Sequence, residues 1–203
     1  MTSAQRVFSY VVTHDSGFAP NPFHGLCTVA CCKPQIRRTA RTGDLIVGVS
    51  TRCERVVYAM TVAVITDFEE YWENPRYSAK RPIMDSTAAV DRRGDNIDTH
   101  RGYGDFRQLS SRHSNRDGTE DPHHKRRDLS GVNVLISDRF VYWGDDGPPL
   151  PADLRFLEVG RGHRCNFSHE QVQRIVQWFE NQPRGIQSAP AEWPPGDVTW
   201  QTQ

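Results

Sequence analysis

Apolar residues along the chain fall into short, strand-length runs separated by polar segments, with one clear helical stripe towards the C-terminus. Arg6 to Thr13 (RVFSYVVT) is rich in Val, Phe and Tyr and predicts a first strand. The loop SGFAPNPFHG follows, where Pro20 and Pro22 exclude helix for the residues before them. Leu26 to Cys32 is a short apolar run, either a strand or a buried helical turn. Pro34 fits the first turn of a helix that runs through PQIRRTAR and stops at Gly43. Asp44 opens DLIVGVS, a second strand. Beyond the polar loop TRCER comes VVYAMTVAVI, whose unbroken apolarity predicts one central strand covered on both faces. The two strands and their short loop read as a hairpin.

Thr66-x-x-Glu69 is a capping-box pattern that opens a helix, with Phe68, Tyr71 and Trp72 on one side and Pro75 as its stop. From Asn74 to Ser130 the periodicity dissolves into Arg, Asp, Gly and His, so a polar insert is expected at about 85–130. A stretch of that length inside a compact domain is functional or mobile. Two short strands, VNVLIS and RFVYWG, follow; GDDGPPLP is a turn, and Phe156 to Gly162 can add an edge. Ser168-x-x-Gln171 opens a second capped helix, whose Val172, Ile175, Val176 and Phe179 form the apolar stripe. Residues 1–182 therefore read as one α+β domain, and residues 183–203 as a Pro/Trp-rich tail that is ordered only if Trp193 or Trp200 docks. The element order lacks regular βαβα alternation, and predicts a small mixed barrel with helices packed outside.

Composition narrows the function classes. At 203 residues and 36% hydrophobic, the chain can bury a core, and no apolar window is long enough for a membrane helix. With no signal-peptide pattern at the N-terminus, the expectation is a cytoplasmic protein with no membrane partner. The formal net charge is zero, which argues against non-specific duplex binding as the main activity. Yet arginine far outnumbers lysine, and the guanidinium fork suits phosphate or carboxylate recognition, although a GC-rich genome gives the same bias. Five cysteines include the cluster Cys27, Cys31 and Cys32. Their spacing matches no standard zinc pattern, so free thiols are expected, with no metal and no cofactor. No Gly-rich phosphate loop, Rossmann fingerprint, nucleophile elbow or HExxH occurs.

The segment Asp15 to Ser50 is the most informative stretch, because its prolines, glycines, aromatics and cysteines are more than a core requires. With it, GFAPNPF, C-x4-C-K-P-x-I-R (Cys27 to Arg37), TGDLIVGVS, VVYAM, FEEYWENPR, RGDNI, VLISDRFVYWG and GRGH form an ordered pattern from about Tyr10 to about Trp178. The pattern resembles the second family of nucleotide-modification-associated domains. That resemblance implies a role around modified bases, with a modified base, nucleotide or nucleic acid as ligand and a base-modifying enzyme as a candidate partner. Asp98 departs from the Tyr that often follows Gly-Asp-Asn-Ile in that family, and the segment after it looks replaced or lengthened. The element order is also similar to PUA-like domains, which implies a pocket for a flipped base.

Phe18, Phe23, Tyr58 and Trp143 are candidates for a stacking pocket, against the alternative that they are core. Asn21 and Asp44 can read a base edge or simply cap their own turns. Arg37, Arg38, Arg161 and Arg164 are candidates for phosphate contacts, against surface ion pairs. His163 is the best acid–base candidate, Asp95 in the polar insert is a further catalytic candidate, and Cys27 or Cys32 is a candidate nucleophile if a cation lies near it. Three readings remain open: a module that binds a modified base, an enzyme that transfers or removes a group on a base or nucleotide, and a partner-binding subunit.

Overall fold

A computed structural model describes residues 5–100, 105–196 and 199–202. In chain order the strands are β1 (Val7–Val11), β2 (Cys27–Val29), β3 (Leu45–Val49), β4 (Val56–Thr61), β5 (Val64–Asp67), β6 (Asp98–His100), β7 (Phe106–Gln108), β8 (Asn133–Ser137), β9 (Phe140–Tyr142), β10 (His163–Arg164) and β11 (Gly185–Ile186). The helices are α1 (Pro34–Thr39), α2 (Phe68–Glu73), α3 (Pro122–Leu129) and α4 (His169–Glu180). No helix is long and apolar enough to cross a membrane among these residues.

The main sheet has six strands in the order β10-β1-β3-β4-β9-β11. β1 runs parallel to β3, and β3 forms the expected antiparallel hairpin with β4, Leu45 facing Thr61. Alternation along these strands sorts the core. Val7, Leu45, Val47 and Ala59 point to the layer that holds Ile175 and Phe179 of α4. Phe8, Tyr10, Ile46 and Met60 point to the opposite layer with Ile36 of α1 and Leu135 of β8. Gly48 is required in this weave: a Cβ there would collide with the Tyr58 ring and approach a Val12 methyl to 2.7 Å.

Four expectations are corrected. VVYAMTVAVI is two strands, because its backbone changes partner: Val62 N–H bonds Asp44 O, while Ala63 N–H bonds Ile136 O. β5 thereby enters a second sheet of order β2-β8-β5, and β8 and β9 cross the same corner through Ser137-Asp138-Arg139. The strands on either side of that corner belong to different sheets, so the fold is mixed α+β with separate sheets and no closed barrel among the described residues. α2 is capped by Asp67, which accepts from Glu70 N–H at 2.8 Å, one residue beyond the predicted Thr66. The predicted helix after Pro34 is also shorter, ending at Thr39. By contrast, α4 has the full capping box, Ser168 with Gln171.

The polar segment from Asn74 to Ser130 is held by a buried hydrogen-bond network rather than by aliphatic packing. Lys80 is fully buried and donates to Asn21 O (3.1 Å), Asn21 Oδ1 (2.7 Å) and Leu26 O (2.7 Å). Asp95, also buried, accepts from Thr28 Oγ1 and Tyr71 OH, each at 2.7 Å. Burial pushes the Lys80 ammonium down to about 8 against the pull of Asp95. The tail docks through Trp193, which stacks on Phe23 and donates to Ser16 O at 2.9 Å.

Lys80→Met would leave three buried acceptors without their donor and Asp95 without its facing cation. The expected loss of unfolding free energy in urea titrations is about 3 kcal/mol. A variant as stable as the parent would show that the network does not hold the insert.

Candidate active site

Strand β2 ends in a tight turn that carries Cys32. Cys32 and Lys33 both adopt left-handed backbone conformations, φ 59° and 40°, which non-glycine residues rarely do. The next residue, Pro34, starts α1, so the turn thrusts the Cys32 thiol away from the sheet into an open pocket of about 560 Å³.

Two polar residues of the insert meet it there. His113 Nε2 lies 3.6 Å from Cys32 Sγ, and His113 Nδ1 lies 2.5 Å from Asp128 Oδ2. The other oxygen of Asp128 accepts from the Cys32 backbone N–H at 2.8 Å, which fixes the carboxylate against the turn it serves. Asp128 is fully buried and sits at the end of α3. Burial by itself would lower the pKa of His113. Its hydrogen bonds to Asp128 and Cys32 and their negative charge outweigh that, and push it up to about 9. The ring at neutral pH is therefore an imidazolium that donates to both neighbours. Phe18 packs edge-on against it, centroids 4.8 Å apart, and His124 stacks on it at 4.7 Å.

Arg37 holds this row in place. Its guanidinium is fully buried and donates to Cys32 O (2.8 Å), Asn133 O (2.8 Å) and Asp128 O. Burial lowers its pKa, opposed by Cys31 and Asp128. Arg38, exposed on the same helix, donates to Ser130 O. Ligand atoms of Cys31, His113 and Asp128 lie within 4.8 Å of one another. In this arrangement, though, His113 and Asp128 are bonded directly and the Cys31 thiol is turned to Asp95 O at 3.6 Å.

The other residues singled out from the sequence are distributed more widely. Phe18 lines the pocket, together with Tyr10, Lys33, Arg112, His124 and Arg127. Asn21 ties Gly17 O and Arg93 O to Lys80, and Asp95 lies inside the network already described. Phe23 is stacked on Trp193, and Trp143 packs against Trp178 at 5.9 Å. The Tyr58 hydroxyl meets that of Tyr10 at 2.9 Å. Asp44 pairs with Arg6 at 2.6 Å and accepts from Arg41 N–H, as a turn-capping carboxylate does. His163 pairs in register with Tyr10; burial and the Lys33 charge lower its pKa. Arg164 bonds Phe156 O and covers the Phe167 ring, while Arg161 is exposed beside Gly160 and Gly162. Cys27 is fully buried in β2 and burial pushes its thiol up, so Cys32 is the sequence candidate whose thiol meets an acid–base partner. His113 and Asp128 were not singled out, because each lies in a segment without periodicity and far along the chain from Cys32.

Fold and site together define a class: an α+β protein with a thiol, an imidazolium and a buried carboxylate in one row on the wall of an open pocket. Residues 4–196 match the nucleotide modification associated domain 2 family, and the chain belongs to that family. No curated protein and no solved structure matches the chain.

Because the folded-state pKa of His113 is raised above the ordinary value, its contribution to stability is complete below about pH 6.5 and lost as pH rises through about 9. The stability difference between the protein and His113→Asn should shrink over that interval. An NMR titration of the His113 ring should have its midpoint near 9 and move down by at least about one unit in Asp128→Asn. A midpoint at the ordinary histidine value in the unaltered protein would refute the ion-paired row.

Proposed function

We propose that this protein is an enzyme that removes or transfers a carbon-linked group on a base or nucleotide, with Cys32 as nucleophile. The observation that carries the reading is the Cys32–His113–Asp128 row at the wall of the pocket. A cysteine acts as its thiolate, and a cation aimed at sulfur is the group that stabilises one. His113 in its protonated form is such a cation, and Asp128 holds its tautomer and orientation as the third member of a triad does.

The chemistry follows from those roles. The Cys32 thiolate attacks an electrophilic carbon, for instance an acyl carbon attached to an exocyclic nitrogen. A C–S bond forms, the C–N bond breaks, and the His113 imidazolium gives its proton to the leaving nitrogen. The neutral imidazole then takes a proton from water or an acceptor hydroxyl, which attacks the thioester and returns sulfur as thiolate. Family membership supports placing this chemistry on a nucleotide or modified base. The pocket volume fits such a ligand, within the range of small-molecule sites.

A base-binding module without turnover is the second reading, favoured by Tyr10 and Phe18 on the pocket wall. A panel of modified nucleosides, nucleotides and short DNA strands, followed by mass spectrometry, separates the two. The expected result is a product of changed mass, with the rate reduced by at least about 10³ in Cys32→Ala and in His113→Ala. A thermal shift with unchanged ligand mass, preserved in Cys32→Ala, would instead establish the binding module.

A further inference from the structure

We propose that the pocket contains an anion subsite in which Lys33 and Arg127 hold the phosphate of the substrate beside Cys32. This deepens the reading of the same pocket by naming the substrate as a phosphorylated nucleotide.

The first support is the sign of the lining. Lys33, Arg112 and Arg127 line the pocket with three histidines, and no Asp or Glu is among its lining residues. In a chain of zero net charge, that is a local excess rather than a general one. The cations differ in how far they are neutralised. Arg112 and His14 at the rim both pair with Glu192, so they contribute little. The Arg127 guanidinium has no carboxylate partner among the described residues. Among the described residues Lys33 reaches a carbonyl, Val11 O at 3.2 Å, and the face of Tyr10, with its ammonium 4.5 Å from the ring centroid.

The second support is proximity. Lys33 is half-buried, and its pKa is lowered first by burial and further by the charge of Arg127, while Cys32 pulls the other way. Two cations that feel each other's charge repel, and among the described residues no carboxylate lines the pocket beside them. A bound phosphate removes that repulsion and takes charge-assisted hydrogen bonds from both. The third support is position. A second cavity of about 480 Å³ shares Val11, Thr13 and Lys33 with the first and extends to Arg161 and Gly162. Lys33 stands at the junction, so a phosphate bound there leaves the base free to reach Cys32. Either a free nucleotide or one nucleotide of a strand presents this chemistry.

The test uses the full-length protein and two alkylating probes, anionic iodoacetate and neutral iodoacetamide, with modification of Cys32 read by peptide mass mapping. Because both probes meet the same sulfur, their rate ratio cancels its nucleophilicity and reports the local charge. The ratio at Cys32 should exceed that of glutathione by about tenfold. It should fall to the glutathione value in a Lys33→Gln, Arg127→Gln double variant. Inorganic phosphate should protect Cys32, whereas an unphosphorylated nucleoside should not. Protection by a nucleoside 5′-monophosphate but not by an oligonucleotide assigns the free nucleotide, and the converse assigns a strand. Rapid alkylation with no preference for iodoacetate and no protection by phosphate overturns the subsite and leaves the nucleophile standing. A preference for iodoacetate with both rates below those of exposed Cys165 keeps the subsite and sinks the nucleophile.

Discussion

One buried guanidinium organises the molecule around its pocket. Arg37 comes from a helix of six residues that is too short to be stable by itself, yet it reaches backbone carbonyls of the Cys32 turn, the end of α3 and the start of β8. A fully buried cation is tolerated only where its donors are matched, and the planar fork presents five donors in fixed directions to acceptors on different segments. The clasp is reciprocated, since Asn133 Nδ2 donates to Arg37 O at 3.1 Å. It is also closely fitted: Gly131 passes against the guanidinium, and a Cβ there would strike it. The Cys32 turn and the α3–β8 corner, about a hundred residues apart in sequence, thus share one polar anchor.

A second polar network does for the insert what apolar packing does for the sheet. The segment between α2 and β8 is poor in aliphatic residues, so it cannot fold by burying them. Asp95, Lys80 and Asn96 instead bind loops, strands and helix ends together; Asn96 Nδ2, for example, donates to Tyr71 O at 2.7 Å. Such networks specify one arrangement because each buried polar atom must find its partner. The consequence for the site is direct: an insert fixed in this way brings His113 and Asp128 to the Cys32 turn.

The site also departs from its surroundings in backbone conformation and in electrostatics. Consecutive left-handed residues at Cys32 and Lys33 are costly backbone, held by the Asp128 and Arg37 hydrogen bonds. Behind the row lies Asp98, buried and close enough to Asp128 to feel its charge. Burial first, and Asp128 second, push its carboxyl up to about 7, and its oxygens find no hydrogen-bond partner among the described residues. Protonated below that pH, it leaves the Asp128 charge to His113. A titratable group thus stands next to the Cys32–His113–Asp128 row.

Much of the scaffold was legible along the chain. β1, β3, β4, β8, β9 and α4 lie where period-two runs, Gly-Asp turns and the Ser168–Gln171 box indicate, because these signals are local and depend only on neighbours in sequence. The family was legible as well, from ordered motifs spread along most of the chain. The break in VVYAMTVAVI was not, since an apolar run looks the same whether its backbone bonds one sheet or two. Nor did Phe23, Trp143 and Asn21 disclose that they pack or bond inside the fold, because an aromatic or an amide has the same signature in a core as in a pocket. Above all, the meeting of Cys32 with His113 and Asp128 has no period and no spacing to read. By itself the sequence determined which segments become most of the strands and the capped C-terminal helix, and which family the chain belongs to. Only the tertiary structure decided which imidazole and which carboxylate face it, because that choice rests on buried hydrogen bonds between residues distant along the chain.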